Sequence, residues 1–314
     1  MNKKTMLMKK YDISDLAAFL SSNEYVVGEG NGTFSEASDI RGRTTVTLDW
    51  ISANNSSPIE YICNSPAHYI ICPHLDPDSI PNEILRDKTL ILTANPRLLF
   101  ARIANALFVE QKHHTISSTA VIDADAKIGT NVHIGNFCHI GKAKIGDNTV
   151  IMDNCIVFND VRIGKDVLIK PGAQLGLEGF GFVRDENNRF IAFPQLGSLE
   201  IENDVEIGPN TCIDKGALSV TKIRCGTKIG AFVKIAHNCE IGESCFIGAQ
   251  VFIGGSTRIG DFNWISPGVK IRDQITIGSN SMCGLGSVVV KDIGDSELWM
   301  GSPARFIEKR KAIT

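Results

Sequence analysis

Residues 222–278 read KIRCGTKIGAFVKIAHNCEIGESCFIGAQVFIGGSTRIGDFNWISPGVKIRDQITIG and hold an isoleucine at every sixth position. A period of six fits neither an α-helix nor a flat strand, whose apolar residues recur about every 3.6 and 2 positions. One six-residue step can hold a short strand and a tight turn, so three steps form a triangular coil of about 18 residues. Stacked coils bury their aliphatic side chains in one core, and the sequence therefore predicts a parallel β-helix. The isoleucines are Ile223, Ile229, Ile235, Ile241, Ile247, Ile253, Ile259, Ile265, Ile271 and Ile277.

The repeat begins near Ile122 and covers more than half of the chain. It is interrupted twice, by residues 177–197 and by a short insertion between Gly216 and Lys222. Excursions from a regular scaffold often carry function, although they can also simply cover exposed edges. We expect an N-terminal α/β domain at residues 1–112, the β-helix at 113–290 and a C-terminal tail at 291–314.

Both ends of the chain lack the sixfold period. Strand-like runs at residues 44–48, 69–71 and 89–92 and helical patterns at 13–20 and 96–107 predict a compact α/β domain before the coil. After the coil, the basic run at residues 308–311 predicts a solvated tail with one or more helical turns.

Composition excludes several classes of protein. The net charge is −3 and the basic residues are spread along the chain, so we expect no nucleic-acid partner. No apolar run approaches the length of a membrane span, and residues 1–10 lack an apolar signal segment, which predicts a soluble cytoplasmic protein. The nine cysteines form no Cys-x-x-Cys pair, and we expect no metal site and no permanently bound cofactor.

His237 is the first candidate for chemistry. It follows the core residue Ile235 by two places, at an outer turn, where a histidine can also be simple surface decoration. One coil further along, the same position is Gly255, whose backbone N–H carries no side-chain bulk. A base beside such a donor is what acyl transfer from a thioester requires, because the base takes a proton from the nucleophile and the N–H holds the oxyanion.

Asp214 and Lys215 are predicted to lie one coil before His237. Asp214 could orient the imidazole or bind a sugar hydroxyl, and Lys215 could meet a phosphate; alternatively, both are solvated turn charges. The sequence has no Gly-x-Ser-x-Gly motif and no Cys/His nucleophile arrangement, which favours direct attack on the thioester over a covalent intermediate.

The longer excursion carries aromatic residues between glycines. Phe180, Phe182 and Gln195 are candidates for shaping a sugar or acyl pocket beneath a lid formed by residues 180–195. The competing interpretation is a hydrophobic plug that anchors the loop to the coil.

The repeat resembles that of the hexapeptide acyltransferases, which implies a left-handed coil and a homotrimer with active sites between subunits. Five strings narrow the resemblance to the UDP-3-O-(3-hydroxyacyl)glucosamine N-acyltransferases of lipid A synthesis. That resemblance implies His237 as the general base for attack by a sugar amine on an acyl-carrier-protein thioester, with Asn238 beside it. It also implies nucleotide or sugar binding by the N-terminal domain. The strings are NPRLLFAR (95–102), EGFGF (178–182), FPQLG (193–197), TCIDKGAL (211–218) and IAHN (235–238).

The chain departs from this family at several positions. TLDWIS (47–52) stands where the family has its uracil-binding aromatic, Asn and Tyr set, and Gln274 stands where it has a second active-site histidine. Ser219 and Val220 replace an acidic pair, and GSPAR (301–305) is similar to the ending of small-acyl transferases.

These departures favour an N-acyltransferase of surface-polysaccharide assembly. It would move an acyl group from acyl-CoA or acyl-carrier protein, as co-substrate, to the amine of a nucleotide-linked amino sugar. The first alternative is the lipid A enzyme itself, and the second is a non-catalytic β-helix that serves as an interaction module.

Overall fold

The computed structural model describes residues 9–29, 32–37, 42–109 and 114–311. The chain forms two compact units, residues 1–111 and 112–314. The domain boundary expected at residue 112 falls within residues 110–113, outside the described part of the chain.

The N-terminal unit is a five-stranded sheet covered by short helices. Its three central strands, Thr47–Trp50, Tyr69–Cys72 and Thr89–Leu92, run parallel and are almost wholly buried. Tyr25–Val27 joins one edge antiparallel, and Glu36–Ala37 joins the other. The helices are Ile13–Leu16, Pro58–Asn64, Asn82–Asp87 and Pro96–Leu107, with 3-10 turns at Ala17–Phe19 and Pro77–Ser79.

The C-terminal unit is a parallel β-helix with three sheets, which we call sheets I, II and III in the order in which each coil from Lys127 onward passes through them. Consecutive coils pair in register, for example Ile213 with Ile235 and Ile235 with Ile253. The isoleucines point inward and form one continuous cluster in which most members are below 5% exposed. Fully burying one such side chain contributes about 1.5–3 kcal/mol, so the column of aliphatic residues is the main source of stability.

The strands of the coil are short because each occupies one side of a small triangle. Sheet I contains Lys127–Ile128, Lys144–Ile145, Val161–Ile163, Ser198–Ile201, Val220–Ile223, Glu240–Ile241, Arg258–Ile259 and Thr276–Ile277. Sheet II contains His133–Ile134, Val150–Ile151, Leu168–Ile169, Glu206–Ile207, Lys228–Ile229, Phe246–Ile247, Trp264–Ile265, Met282–Cys283, Glu297–Met300 and Arg305–Lys309. Sheet III contains Val121–Ile122, His139–Ile140, Ile156–Val157, Gln174–Leu177, Cys212–Asp214, Lys234–Ile235, Phe252–Ile253, Lys270–Ile271 and Val288–Val289.

Both excursions leave the coil at the corner between sheet III and sheet I, which we call the III–I corner. The longer one folds into an antiparallel hairpin of Phe182–Arg184 and Phe190–Ala192, whose residues are all exposed. The bases of the two excursions are joined by backbone hydrogen bonds, including Gly197 N–H to Ala217 O at 2.9 Å. The two loops therefore reinforce one corner of the prism.

The C-terminal tail differs from the helical turn that the sequence predicts. Glu297–Met300 pairs parallel to Met282–Cys283, and Arg305–Lys309 then pairs back on it antiparallel. The tail forms strands instead of a helix because the last coil has an unpaired edge whose backbone groups need hydrogen-bond partners. The described part of the tail thus caps the coil with a β-hairpin.

Candidate active site

A cavity of about 650 Å³ opens on sheet III next to the III–I corner. Five of the residues selected from the sequence line it: Phe180, Asp214, His237, Gly255 and Gln274. The 22-residue step from Asp214 to Ala236 and the 18-residue step from His237 to Gly255 follow the observed strand register. The remaining lining residues are Lys234, Ala236, Phe252, Gly254, Ser256, Arg272 and Asp273.

Two glycines flank the imidazole of His237. A Cβ atom placed on Gly255 would lie 2.9 Å from both Cε1 and Nε2 of the ring, and one placed on Gly179 would lie 2.9 Å from Cδ2. Side chains at either position would displace the ring, so the site requires glycine on both sides. The Nδ1 atom of His237 is buried and has no hydrogen-bond partner among the described residues.

The backbone N–H of Gly255 lacks the acceptor that some other turns of the coil provide. At the equivalent turn position, the N–H of Glu243 donates to Oδ1 of Asp261, one coil further on, at 2.8 Å. The corresponding carboxylate for Gly255 is that of Asp273, but its Oδ2 instead accepts from Nε2 of Gln274 at 3.2 Å. Within the described chain, the Gly255 N–H donates to no protein group, and it is therefore available to an oxyanion.

Asp214 supplies a buried charge to the cavity. Its side chain is 3% exposed and forms an ion pair with Nζ of Lys234. Burial raises the pKa of the Asp214 carboxyl above its usual value, while the Lys234 hydrogen bond and the charges of Lys234 and His237 act in the opposite direction. Carboxylate, ammonium and imidazole therefore lie together on one wall.

The aromatic loop contributes one ring to this cavity. Phe180 lines it and is 90% exposed, with its ring centroid 5.0 Å from that of Phe182. Phe182 packs in turn against Phe190 and does not line the cavity. The aromatic rings of the loop therefore contact one another and are not inserted into the coil. Gln195 is buried at the loop base, where its Oε1 accepts from Gly179 N–H at 3.3 Å.

Two other candidates lie outside the cavity lining. Nζ of Lys215 is 3.6 Å from the Asp160 carboxylate. Oδ1 of Asn238 accepts from the N–H of Ala217 at 2.8 Å. This hydrogen bond holds the shorter excursion, which contains Ala217, against the turn that follows His237. Asn238 also adopts a positive φ of 60°, which asparagine tolerates better than most residues. Its geometry is that of a residue that holds the turn.

Sequence reasoning missed Lys234, Phe252 and Gly179 as lining or flanking residues. Lys234 and Phe252 each precede an inward isoleucine of sheet III, so both face outward beside Asp214. Counting one coil along the chain between outward-facing positions of sheet III would have identified both residues. The approach of Gly179 to His237 depends on how the long loop folds back, and no spacing predicts it.

The described residues contain no cluster of histidine, cysteine or acidic side chains that could hold a metal ion. Among the helices of the described chain, none is long and apolar enough to cross a membrane.

Comparison with known proteins places this geometry in context. The family model described as bacterial transferase hexapeptide (six repeats) matches residues 142–176 and 221–255, and the second match contains both His237 and Gly255. Over these residues, the coil is similar to the bacterial transferase hexapeptide repeat. The solved structure of LpxA from Acinetobacter baumannii superposes with a TM-score of 0.57 at 28% identity, over 62% of this chain and 74% of that one. The predicted fold, a mainly β, left-handed parallel β-helix with a small N-terminal α/β region, is confirmed.

Curated relatives support the narrower resemblance. A UDP-3-O-acylglucosamine N-acyltransferase of Pseudomonas syringae is 56% identical over 70 residues, which cover 22% of this chain and 20% of the relative. A probable UDP-3-O-acylglucosamine N-acyltransferase 2 of Arabidopsis thaliana is 38% identical over 152 residues, 48% of this chain and 50% of the relative. The chain thus spans half or less of the length of these relatives.

Proposed function

We propose that this protein is an acyltransferase that moves an acyl group from a thioester to the amine of a UDP-linked, 3-O-acylated glucosamine, as in lipid A synthesis. This is the alternative that the sequence left open, and the names of the curated relatives support it better than the surface-polysaccharide hypothesis. The observation that carries the proposal is the imidazole of His237 held against Gly255, whose N–H has no acceptor in the described chain.

The chemistry follows from these two groups. His237 accepts a proton from the acceptor amine, and the amine nitrogen attacks the thioester carbonyl. The carbonyl oxygen gains negative charge and is held by the Gly255 N–H, an interaction typically worth about 3 kcal/mol in the transition state. The C–N bond forms, the C–S bond breaks, and the thiol leaves with the proton returned by His237. Acyl-carrier protein or acyl-CoA supplies the thioester as a co-substrate.

A homotrimer is part of the proposal. The outward face of sheet II carries the stacked rings of Phe246 and Trp264, whose centroids are 4.1 Å apart and whose side chains are about two-fifths exposed. Exposed apolar patches of this kind mark interaction surfaces. Light scattering on the purified protein tests this part, since a monomeric mass of 34.1 kDa would refute it.

One observation favours a second acceptor, the amino sugar of another nucleotide in surface-polysaccharide assembly. Thr47, Leu48 and Asp49 of the string TLDWIS are buried, and Asp49 is held by Arg43 at 2.9 Å and by Ser65 at 2.8 Å. Side chains engaged within their own unit are not free to recognise uracil.

A thiol-release assay tests both acceptors. The purified protein is given acetyl-CoA, 3-hydroxybutyryl-CoA or long-chain 3-hydroxyacyl-carrier protein, each with UDP- or dTDP-linked amino sugars. We expect turnover with the long-chain carrier protein and UDP-3-O-acylglucosamine. Turnover only with a short acyl-CoA and a dTDP-sugar would replace that acceptor by the second one.

His139→Ala is a matched control for His237→Ala, because His139 is exposed on the same sheet, outside the cavity lining. The histidine at 237 should be essential and that at 139 should not. No turnover in any pair would leave the interaction module as the remaining explanation.

A further inference from the structure

The cavity already holds a primary ammonium group. Lys234 makes the one ion pair formed among the described lining residues, with the carboxylate of Asp214. His237 lines the same cavity and interacts electrostatically with this carboxylate. A carboxylate, a primary ammonium and a base are thus together before any acceptor has entered.

The two partners of this ion pair differ in how easily they can move. Asp214 ends a strand of sheet III, opposite Leu177 at an irregularity in the pairing, and its side chain is 3% exposed. The Lys234 side chain is 38% exposed and carries its charge on a flexible four-carbon stem. The ammonium can therefore move into water, whereas the carboxylate must stay in the wall.

The carboxylate also has unused capacity for hydrogen bonds. An ionised carboxylate offers about four lone-pair sites, and Lys234 is the one hydrogen-bond donor to Asp214 among the described residues. A buried charge without a partner is costly, so a ligand ammonium stabilises the Asp214 carboxylate most when Lys234 is absent.

We infer that Asp214 binds the ammonium group of the acyl acceptor and that Lys234 occupies this position until the acceptor displaces it. The inference rests on the proposed function and specifies its acceptor subsite. The acceptor ammonium, held by Asp214, first loses one proton to His237, which releases it to solvent. The neutral amine then attacks the thioester as described above, and His237 accepts the second proton from the nitrogen and returns it to the leaving thiol. A hydroxyl acceptor carries no charge with which to displace Lys234, so the site selects amines.

Equilibrium binding without a thioester donor tests this exchange. UDP-glucosamine carries the ammonium and UDP-N-acetylglucosamine lacks it, and calorimetry compares their affinities for wild type and for Lys234→Gln. Removing the internal competitor should tighten UDP-glucosamine binding about tenfold, in line with one charged hydrogen bond, and should leave UDP-N-acetylglucosamine unchanged. Asp214→Asn should abolish the preference for the amine.

Two variants complete the design. Lys270→Gln removes an exposed lysine of the same sheet and should match wild type. Lys234→Arg retains a cation that can bind the Asp214 carboxylate with two hydrogen bonds, so it should bind UDP-glucosamine no more tightly than wild type. Equal or weaker binding of UDP-glucosamine by Lys234→Gln, including no detectable binding, overturns the inference and makes the ion pair structural.

Because no donor is present, this result is independent of acyl transfer. If Lys234→Gln bound UDP-glucosamine more tightly than wild type but the protein released no thiol with any donor, the proposed reaction would be refuted and the ammonium site would still be supported.

Discussion

Adding a single methyl group at residue 255 should lower the catalytic activity without destabilising the β-helix. In Gly255→Ala the new Cβ would lie 2.9 Å from Cε1 and Nε2 of His237. Comfortable carbon contacts begin at about 3.5 Å, so the imidazole must retreat by about 0.6 Å. Gly179 closes the opposite side of the ring, and the retreat therefore changes the direction of Nε2 as well as its position.

The expected cost follows from how sharply proton transfer depends on geometry. Misplacing a catalytic group by about 1 Å can cost about 100-fold in rate, so Gly255→Ala should lower kcat about 10- to 100-fold. The fold should survive, because the contact is with the end of a side chain. Gly254→Ala is the contrasting variant, since its Cβ would lie 2.4 Å from the backbone N of Asp273. Overpacking against backbone typically costs about 1–3 kcal/mol of stability.

Thiol release with the active donor and acceptor pair gives kcat, and thermal unfolding followed by circular dichroism gives the melting temperature. We expect Gly255→Ala to lose activity while its melting temperature stays within about 2 °C of wild type, and Gly254→Ala to lose stability. If Gly255→Ala kept more than half of the wild-type kcat, catalysis would not depend on the position of the imidazole beside Gly255, and the proposed mechanism would be refuted.

Three further outcomes are expected. His237→Ala should lower kcat about 100- to 10,000-fold without lowering the melting temperature, measured by thiol release and calorimetry. Asn238→Ala removes the acceptor for Ala217 N–H, so chemical denaturation should show a loss of about 1–2 kcal/mol. Asn238→Gly is the control because glycine adopts the positive φ of residue 238 but has no acceptor, and wild-type stability in this variant would contradict the hydrogen bond as the cause of the loss. Lys165 and Thr130 hold the pKa of Asp147 down to about 2, below its unfolded value; its stabilising contribution is therefore present above about pH 4 and is lost as the pH falls through about 2. Acid unfolding of Asp147→Asn should be less pH-dependent over that interval, and an unchanged profile would contradict this assignment.

The sequence was sufficient for the coil because its period is written directly in the isoleucines. Each six-residue step has one way to bury its aliphatic residue, so Ile235 and Ile253 fix the register of every neighbouring position. Adding the length of one coil to a position in this register was enough to place His237 next to Gly255 and Asp214 on the same wall of the cavity. The helix at Pro96–Leu107 was equally readable, because its apolar spacing follows a start signal at Asn95, whose side chain accepts from Leu98 N–H.

The tertiary structure decided what the period does not encode. The approach of Gly179 to His237 depends on the path of an irregular loop, and the ion pair of Asp214 with Lys234 depends on a side-chain conformation. The free N–H of Gly255 depends on Asp273 turning toward Gln274 instead of capping the turn, as Asp261 does for Glu243. The sequence determined which positions share a wall, since backbone register is set by burying the core. Only the folded chain decided which polar groups on that wall are paired and which are free, because several partners compete for each of them.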